Sequence, residues 1–190
     1  MRCVLFFFQS DLTSTASLAF LSGWCYKKGQ LLLVYEYMPN GSLDQHLFRR
    51  GVHEQRWPVL SWARRYAIVG DVAAGLHYVH HEYTRMVLHR DVKASNVLLD
   101  ASFRARLGDF GLARVLDDDR EAFTDLHVAG TCGFIAPEYS VGHKASRETD
   151  VFAFGAAQRR GPEPRCRRVQ PRRGQTPAAA RAGMQQSQPG

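Results

Sequence analysis

The sequence predicts an α+β fold: a short β-hairpin followed by a mainly helical body in which small strands alternate with polar loops. Three observations carry this. Two apolar runs, near Phe20 to Cys25 and from Leu31 to Tyr35, flank Lys27-Lys28-Gly29-Gln30, a turn-forming spacer. From Ser61 onward apolar side chains recur at three- and four-residue spacing, which is the period of an amphipathic helix. Beyond it, Val87-Leu88, Val97-Leu98-Leu99 and Ala105 to Leu107 are too short for helices and read as small strands.

The elements follow in order. The run Leu31-Leu32-Leu33-Val34-Tyr35 ends at Pro39-Asn40-Gly41 and reads as a buried strand closed by a turn. Ser61 is a good N-cap for a long helix whose stripe is Trp62, Tyr66, Val69, Val72, Leu76 and Val79. Gly70 and Gly75 inside it cost about 1 kcal/mol each relative to alanine, so packing has to supply the helix's stability.

A chain of 190 residues with 45% apolar and 11% aromatic side chains is long enough for one domain with a buried core. Cys3, Cys25, Cys132 and Cys166 lie far apart, which argues against a disulfide framework or a zinc knuckle and suits a reducing compartment. The apolar run Cys3 to Phe8 is too short to cross a bilayer and short for a signal-peptide core. The net charge of +7 is unevenly distributed: from Ala156 onward there are eight arginines and one acid, 8 − 1 = +7. The first 155 residues hold 17 basic and 17 acidic side chains. No aromatics interleave with the arginines, so a solvated face is favoured over a nucleic-acid or membrane patch.

Three zones are expected. Residues 1–19 have no clear period and stay unassigned; residues 20–155 hold the alternating elements; residues 156–190 form an Arg/Pro/Gly-rich tail. The tail is expected to be disordered, because it offers too little apolar surface to offset the ordering of its backbone.

The loops carry the chemistry. His89-Arg90-Asp91-Val92-Lys93-Ala94-Ser95-Asn96 lies between the small strands, and Asp109-Phe110-Gly111 begins thirteen residues beyond Asn96. Ala136-Pro137-Glu138 and Asp150-Val151-Phe152-Ala153-Phe154-Gly155 follow. These four blocks, in this order, resemble the catalytic loop, magnesium loop, activation segment and F-helix signatures of the eukaryotic protein kinases. Pro39-Asn40-Gly41-Ser42-Leu43-Asp44, Gly23-Trp24-Cys25, Leu107-Gly108-Asp109 and His127-Val128-Ala129-Gly130-Thr131 look specifically like the plant receptor-like kinases of the legume-lectin (L-type lectin) group.

That resemblance implies phosphoryl transfer from ATP with Mg²⁺, where catalysis is mostly positioning and charge neutralisation. Asp91 would orient the substrate hydroxyl, and Lys93 would place a cation near the transferred group and mark serine/threonine substrates. Asn96 and Asp109 offer the hard oxygens that Mg²⁺ shares with phosphates. Tyr35-Glu36-Tyr37-Met38 resembles the hinge between lobes, with Tyr35 as gatekeeper and the backbone of Glu36 and Met38 facing adenine; Leu98 is a further nucleotide-binding position. Arg90 would hold a phosphorylated activation segment, since guanidinium pairs well with phosphate. Thr124 is the expected acceptor, while Thr131 would bond Asp91 and Lys93. Asp150 would hydrogen-bond backbone amides of the catalytic loop.

The pattern also has gaps. The family's Gly-rich loop, strand lysine and helix glutamate do not occur before Phe20, and after Gly155 the apolar F helix gives way to Gln158-Arg159-Arg160-Gly161-Pro162. Glu138 would then lose the late arginine with which it normally pairs and would face water. The expected fold is therefore a truncated kinase: a remnant N-lobe hairpin plus a partial, mainly helical C-lobe. Its function would be a serine/threonine kinase fragment acting on protein hydroxyls; the alternative is an impaired fragment that only docks partners, other kinases among them. The chain as encoded would be cytoplasmic, whereas the parent family sits at the plasma membrane with its kinase domain inside. His77, His80 and His81 have the spacing of a metal site but lack a Glu or Cys partner, so a satisfied or exposed histidine cluster is expected.

Overall fold

The computed structural model describes residues 17–19, 21–48, 59–117 and 121–159. Its first element is the expected hairpin, β1 (Leu21–Lys27) paired antiparallel with β2 (Gln30–Tyr35). Lys28 and Gly29 make the two-residue turn, both with positive φ (50° and 79°), the backbone that matches the twist of paired strands. The strand positions agree with the sequence, but their burial does not. Leu31, Leu32, Val34 and Tyr35 are exposed, as are Trp24 and Tyr26. Among the described residues β1 and β2 pair only with each other, so the apolar run expected to be a buried strand presents both faces to solvent.

Beyond the hairpin, Gly41 N–H closes a turn on Met38 C=O at 3.1 Å, and Leu99 N–H donates to Gly41 C=O at 2.8 Å. These bonds fasten the segment after β2 to the helical body. A short helix α1 (Leu43–Leu47) leads on, and α2 (Trp62–His77) follows residue 61. Ser61 caps α2 as expected, its hydroxyl accepting from Arg64 N–H at 3.3 Å. The last turn widens into a π-turn, Tyr78–Glu82, which replaces the straight continuation to Val79.

The buried stripe of α2 is Ile68, Val72 and Leu76, continued by Val79 in the π-turn. Trp62 and Tyr66, placed on that stripe by periodicity, are 84% and 81% exposed. They border a mainly apolar cavity of about 420 Å³ lined by Leu43 and Leu47 of α1, the first half of α2, and Phe154, Ala157 and Gln158.

The short strands fall where the sequence puts them. β3 (Val87–Leu88) pairs with β6 (Arg114–Val115), and β4 (Val97–Leu99) with β5 (Ala105–Leu107). β7 (Ala122–Thr124) and β8 (Lys144–Ser146) make a fourth pair, and α3 (Pro137–Gly142) and α4 (Arg147–Arg159) complete the order. Among the described residues all four sheets are two-stranded, so strands here clamp loops and build no central layer. The main core packs Ile68, Val72, Leu76 and Val79 against Val97, Leu99, Ala105 and Leu107, with Phe134, Ala153 and Ala156. Leu88, Leu116, Ala136, Tyr139 and Ala145 form a second cluster beneath α3.

Both expected zone boundaries move. Ser17 to Ala19 belong to the body: Leu18 is buried, Leu107 N–H donates to Ser17 C=O and Ala19 N–H to Leu107 C=O, each at 2.9 Å. At the other end α4 runs to Arg159, and Ala156, assigned by composition to the tail, is buried in the main core. The arginines that follow dominate the composition from this point, whereas the small Ala156 side chain fits a close helix contact. The unassigned residues 1–16 and the tail from 160 lie outside the described residues.

Candidate active site

The loop between β3 and β4 runs through the middle of the body, so its polar side chains are buried and have to find partners. Asp91, 2% exposed, is the hub. One carboxylate oxygen, Oδ1, accepts from the Thr131 hydroxyl at 2.6 Å. The other, Oδ2, accepts from Asn96 Nδ2 at 3.2 Å and lies 3.6 Å from Lys93 Nζ. Lys93 Nζ in turn donates to Thr131 Oγ1 at 2.9 Å. Asn96 Nδ2 also donates to Asp91 C=O at 2.8 Å, which holds the loop in its turn. Asp91, Lys93, Asn96 and Thr131 therefore form one network, in which a buried carboxylate is balanced by a buried ammonium. Thr131 thus reaches both charges from the segment Gly130-Thr131-Cys132.

The loop is hung from α4. Asp150, 1% exposed, accepts from His89 N–H and Arg90 N–H at 2.7 Å each, one on each oxygen. Asp150 thus ties α4 to two backbone amides of the loop. A third partner was not anticipated: His80 Nε2 meets Asp150 Oδ2 at 2.9 Å in full burial. The histidine cluster thus divides, with His80 inward, His77 paired with Glu82 at 3.3 Å and His81 beside Arg147 at 3.3 Å. His80 lies four residues beyond the buried Leu76, and that spacing on the inner face of the helix was the available signal. Among the described residues no group of three His, Cys, Asp or Glu side chains forms a metal cage.

The magnesium-loop motif joins the same centre through His89. Its Nε2 bonds Gly108 C=O at 2.9 Å, and its ring lies 4.6 Å from that of Phe110. Asp109 sits in the left-handed region at φ 56° and is exposed, with Oδ1 accepting from Gly111 N–H at 3.4 Å. At the end of β2, burial first, and then the negative charge of Asp109, push the Tyr35 phenol above its ordinary value. The end of β2 and Asp109 are thus electrostatically coupled.

In the segment that resembles the hinge Met38 is buried, on β4 Leu98 is half-buried, and Glu36 Oε2 pairs with Arg106 Nη1 at 3.0 Å. Among the described residues neither Glu36 C=O nor Met38 N–H has a backbone hydrogen-bond partner. These groups fit a nucleotide base. Asn96 spends its amide nitrogen on Asp91, so its carboxamide oxygen, with the Asp109 carboxylate, supplies two hard donors. That set suits Mg²⁺, which takes one or two protein oxygens and completes its shell with phosphate and water.

Arg90 lies on the far side of the loop at φ 68°, buried. Its guanidinium donates to Leu112 C=O at 3.1 Å, to the Tyr139 hydroxyl at 2.6 Å and to the Asp125 carboxylate. Thr124, the expected phosphate acceptor, has an exposed side chain and pairs through its backbone with Lys144; the anion on Arg90 is its neighbour. Glu138 is exposed, beside Lys144, Arg147 and Glu148 around a shallow polar cavity. Asp125 and Tyr139 were missed by reading motifs alone, since neither stands in one.

The family described as protein tyrosine and serine/threonine kinase matches residues 10–158. The chain is 54% identical over 136 residues to the L-type lectin-domain containing receptor kinase SIT2 of Oryza sativa subsp. japonica, covering 72% of this chain and 19% of that protein. It is 53% identical over 136 residues to receptor kinase IV.2 of the same type from Arabidopsis thaliana, again 72% and 19%. Kinase VIII.1 from Arabidopsis thaliana matches at 48% over 154 residues, 78% of this chain and 21% of its own. The chain thus spans about one fifth of the length of the curated relatives it matches. With the network around Asp91 hung from Asp150 and a match over residues 10–158, the chain belongs to the protein kinase family, as part of a kinase domain of the L-type lectin receptor kinase group.

Proposed function

We propose that this chain carries the catalytic centre of an ATP- and Mg²⁺-dependent kinase that phosphorylates serine and threonine hydroxyls of proteins. The observation that supports it most is the Asp91–Thr131–Lys93 triangle. Phosphoryl transfer needs a carboxylate to orient the attacking hydroxyl and a cation to neutralise charge on the transferred group. Asp91 and Lys93 supply both within hydrogen-bonding reach of one threonine.

Bound Mg²⁺–ATP would supply the phosphoryl group and the charge neutralisation around it. Asn96 and Asp109 would hold the metal, while the backbone of Glu36 and Met38, with Leu98, would hold the base. Asp91 accepts the proton-bearing hydroxyl of the substrate, and its second oxygen stays tied to Asn96 so that the acceptor oxygen is fixed in direction. Lys93, held by Thr131, keeps its charge beside Asp91 and away from bulk water. Thr131 links the loop to the segment that would carry the peptide. Lys93 is also the feature that assigns serine/threonine substrates. Arg90, Thr131 and Asp150 position the loop. A cytoplasmic setting fits this chemistry, and no described helix is long and apolar enough to cross a membrane.

The test is phosphate transfer from labelled ATP by the full 190-residue chain to a mixture of Ser/Thr peptides, alongside Mg-ATP binding. Asp91→Asn should lower transfer by roughly 10²–10⁴-fold while leaving nucleotide binding in place. Asp109→Asn should lose the magnesium dependence of binding. Equal transfer by the chain and its Asp91→Asn variant would sink the reading.

A further inference from the structure

Arg90 is a buried cation, and removing a charge from water is costly unless an anion and hydrogen bonds replace the solvent. The replacement is built from the segment between Leu112 and Tyr139. Asp125 supplies the anion, Tyr139 and Leu112 supply oxygens, and the rings of Phe123 and Tyr139 lie 5.7 Å from the guanidinium carbon. Asp125 is itself fixed. Its N–H donates to His143 C=O at 2.8 Å, directly after the β7–β8 pairing, and its Oδ1 accepts from His127 N–H at 3.5 Å. Tyr139 closes the group, accepting from Ala129 N–H at 3.1 Å.

A second observation bears on the size of the anion. Arg90 Nε is buried and has no hydrogen-bond partner among the described residues. One carboxylate satisfies one edge of the guanidinium, whereas a phosphate presents three oxygens and can serve more of its donors. The pocket thus holds a carboxylate in a place with room, in hydrogen-bonding terms, for a larger anion.

We propose that Asp125 is a positioning residue that stands in for a phosphate on Arg90, setting the catalytic loop without modification of the segment from Asp109 to Glu138. The proposal rests on the kinase reading above. Arg90 links the two through its own backbone: its N–H is held by Asp150, and the next residue is Asp91. Thr124 is then a spectator, one residue away from the position that matters.

The experiment uses the full chain after phosphatase treatment, with Thr124→Ala, Asp125→Ala, Asp125→Asn and Asp125→Glu. Thr124→Ala and the dephosphorylated chain should keep kcat within about twofold. Asp125→Asn and Asp125→Ala should lose about 30-fold or more in kcat with KM for ATP within about threefold, since the loop and not the nucleotide is disturbed. Asp125→Glu should recover a large part. A second arm needs no activity: inorganic phosphate should raise the melting temperature of Asp125→Ala saturably and leave that of the unaltered chain unchanged. Unchanged kcat in Asp125→Asn, or activity lost on phosphatase treatment and in Thr124→Ala, overturns the proposal. So does equal phosphate stabilisation of variant and unaltered chain. If no form transfers phosphate, the kinase reading fails and the phosphate arm alone decides this one. If Asp125→Ala does not fold, Asp125→Asn, which keeps the size of the side chain, carries both arms.

Discussion

Thr131 is a single hydroxyl shared between Lys93 and Asp91, so its loss unties both charges at once. Thr131→Val keeps the shape and removes both bonds. A hydrogen bond to a charged group is worth about 1.5–3 kcal/mol, so transfer should fall roughly 10- to 100-fold in single-turnover measurements. Tyr35 offers a check on its coupling to Asp109. Its raised phenol means that the folded state holds the proton more tightly than the unfolded chain, whose tyrosine titrates near ~10. The stability linked to this proton is therefore whole below pH ~10 and is lost as the pH rises through the folded value. Asp109→Asn should move the Tyr35 titration down, read by NMR of labelled tyrosine with Tyr35→Phe for assignment; no movement would separate the two groups. Asp91, Lys93 and Asn96 were legible because a local turn sets their spacing, and Thr131, 40 residues from Asp91, because it stands in the motif that ends Gly130-Thr131. Asp125, Tyr139 and His80 were not legible. They act on groups 35, 49 and 70 residues away, and no local pattern encodes such a pairing.

At the scale of elements, the two glycines inside α2 look alike in the sequence and differ in space. A Cβ on Gly70 meets nothing within 4 Å, but one on Gly75 would lie 3.0 Å from Ser17 C=O and 3.3 Å from Leu18. Gly70→Ala should stabilise the protein by up to about 1 kcal/mol, and Gly75→Ala should cancel that gain or destabilise, both by urea denaturation. Gly75 is thus the seat of the Ser17–Ala19 segment. The N-cap is more ordinary: Ser61→Ala should cost about 1 kcal/mol, because Arg64 N–H loses its acceptor. Strand positions were readable because short apolar runs between turn residues have few other uses. The burial of β2 and of Trp62 and Tyr66 was not, since periodicity reports which face is apolar and says nothing of what covers it.

At the scale of the whole molecule, the hairpin is the exposed end. Opposed pairs share a face, so Trp24 and Tyr26 stand with Leu33 and Leu31 on one side, and Cys25 with Leu32 on the other. Apolar surface on both faces of two strands invites association. The chain should bind a hydrophobic dye and self-associate with concentration, and Leu32→Lys with Leu31→Lys should reduce both without altering the α2 core; equal behaviour of the variant would place the sticky surface elsewhere. The interior depends on Asp150. Replacing it with alanine leaves His80 and two loop amides without their acceptor and should cost about 3–5 kcal/mol in denaturant melts. That single carboxylate also imposes a schedule. Arg90 waits for an acceptor 60 residues later in the chain, and at ~5–20 residues per second a ribosome takes about 3 to 12 s to deliver it. During those seconds the amides of His89 and Arg90 lack the carboxylate that holds them, so the order of this loop has to wait for α4.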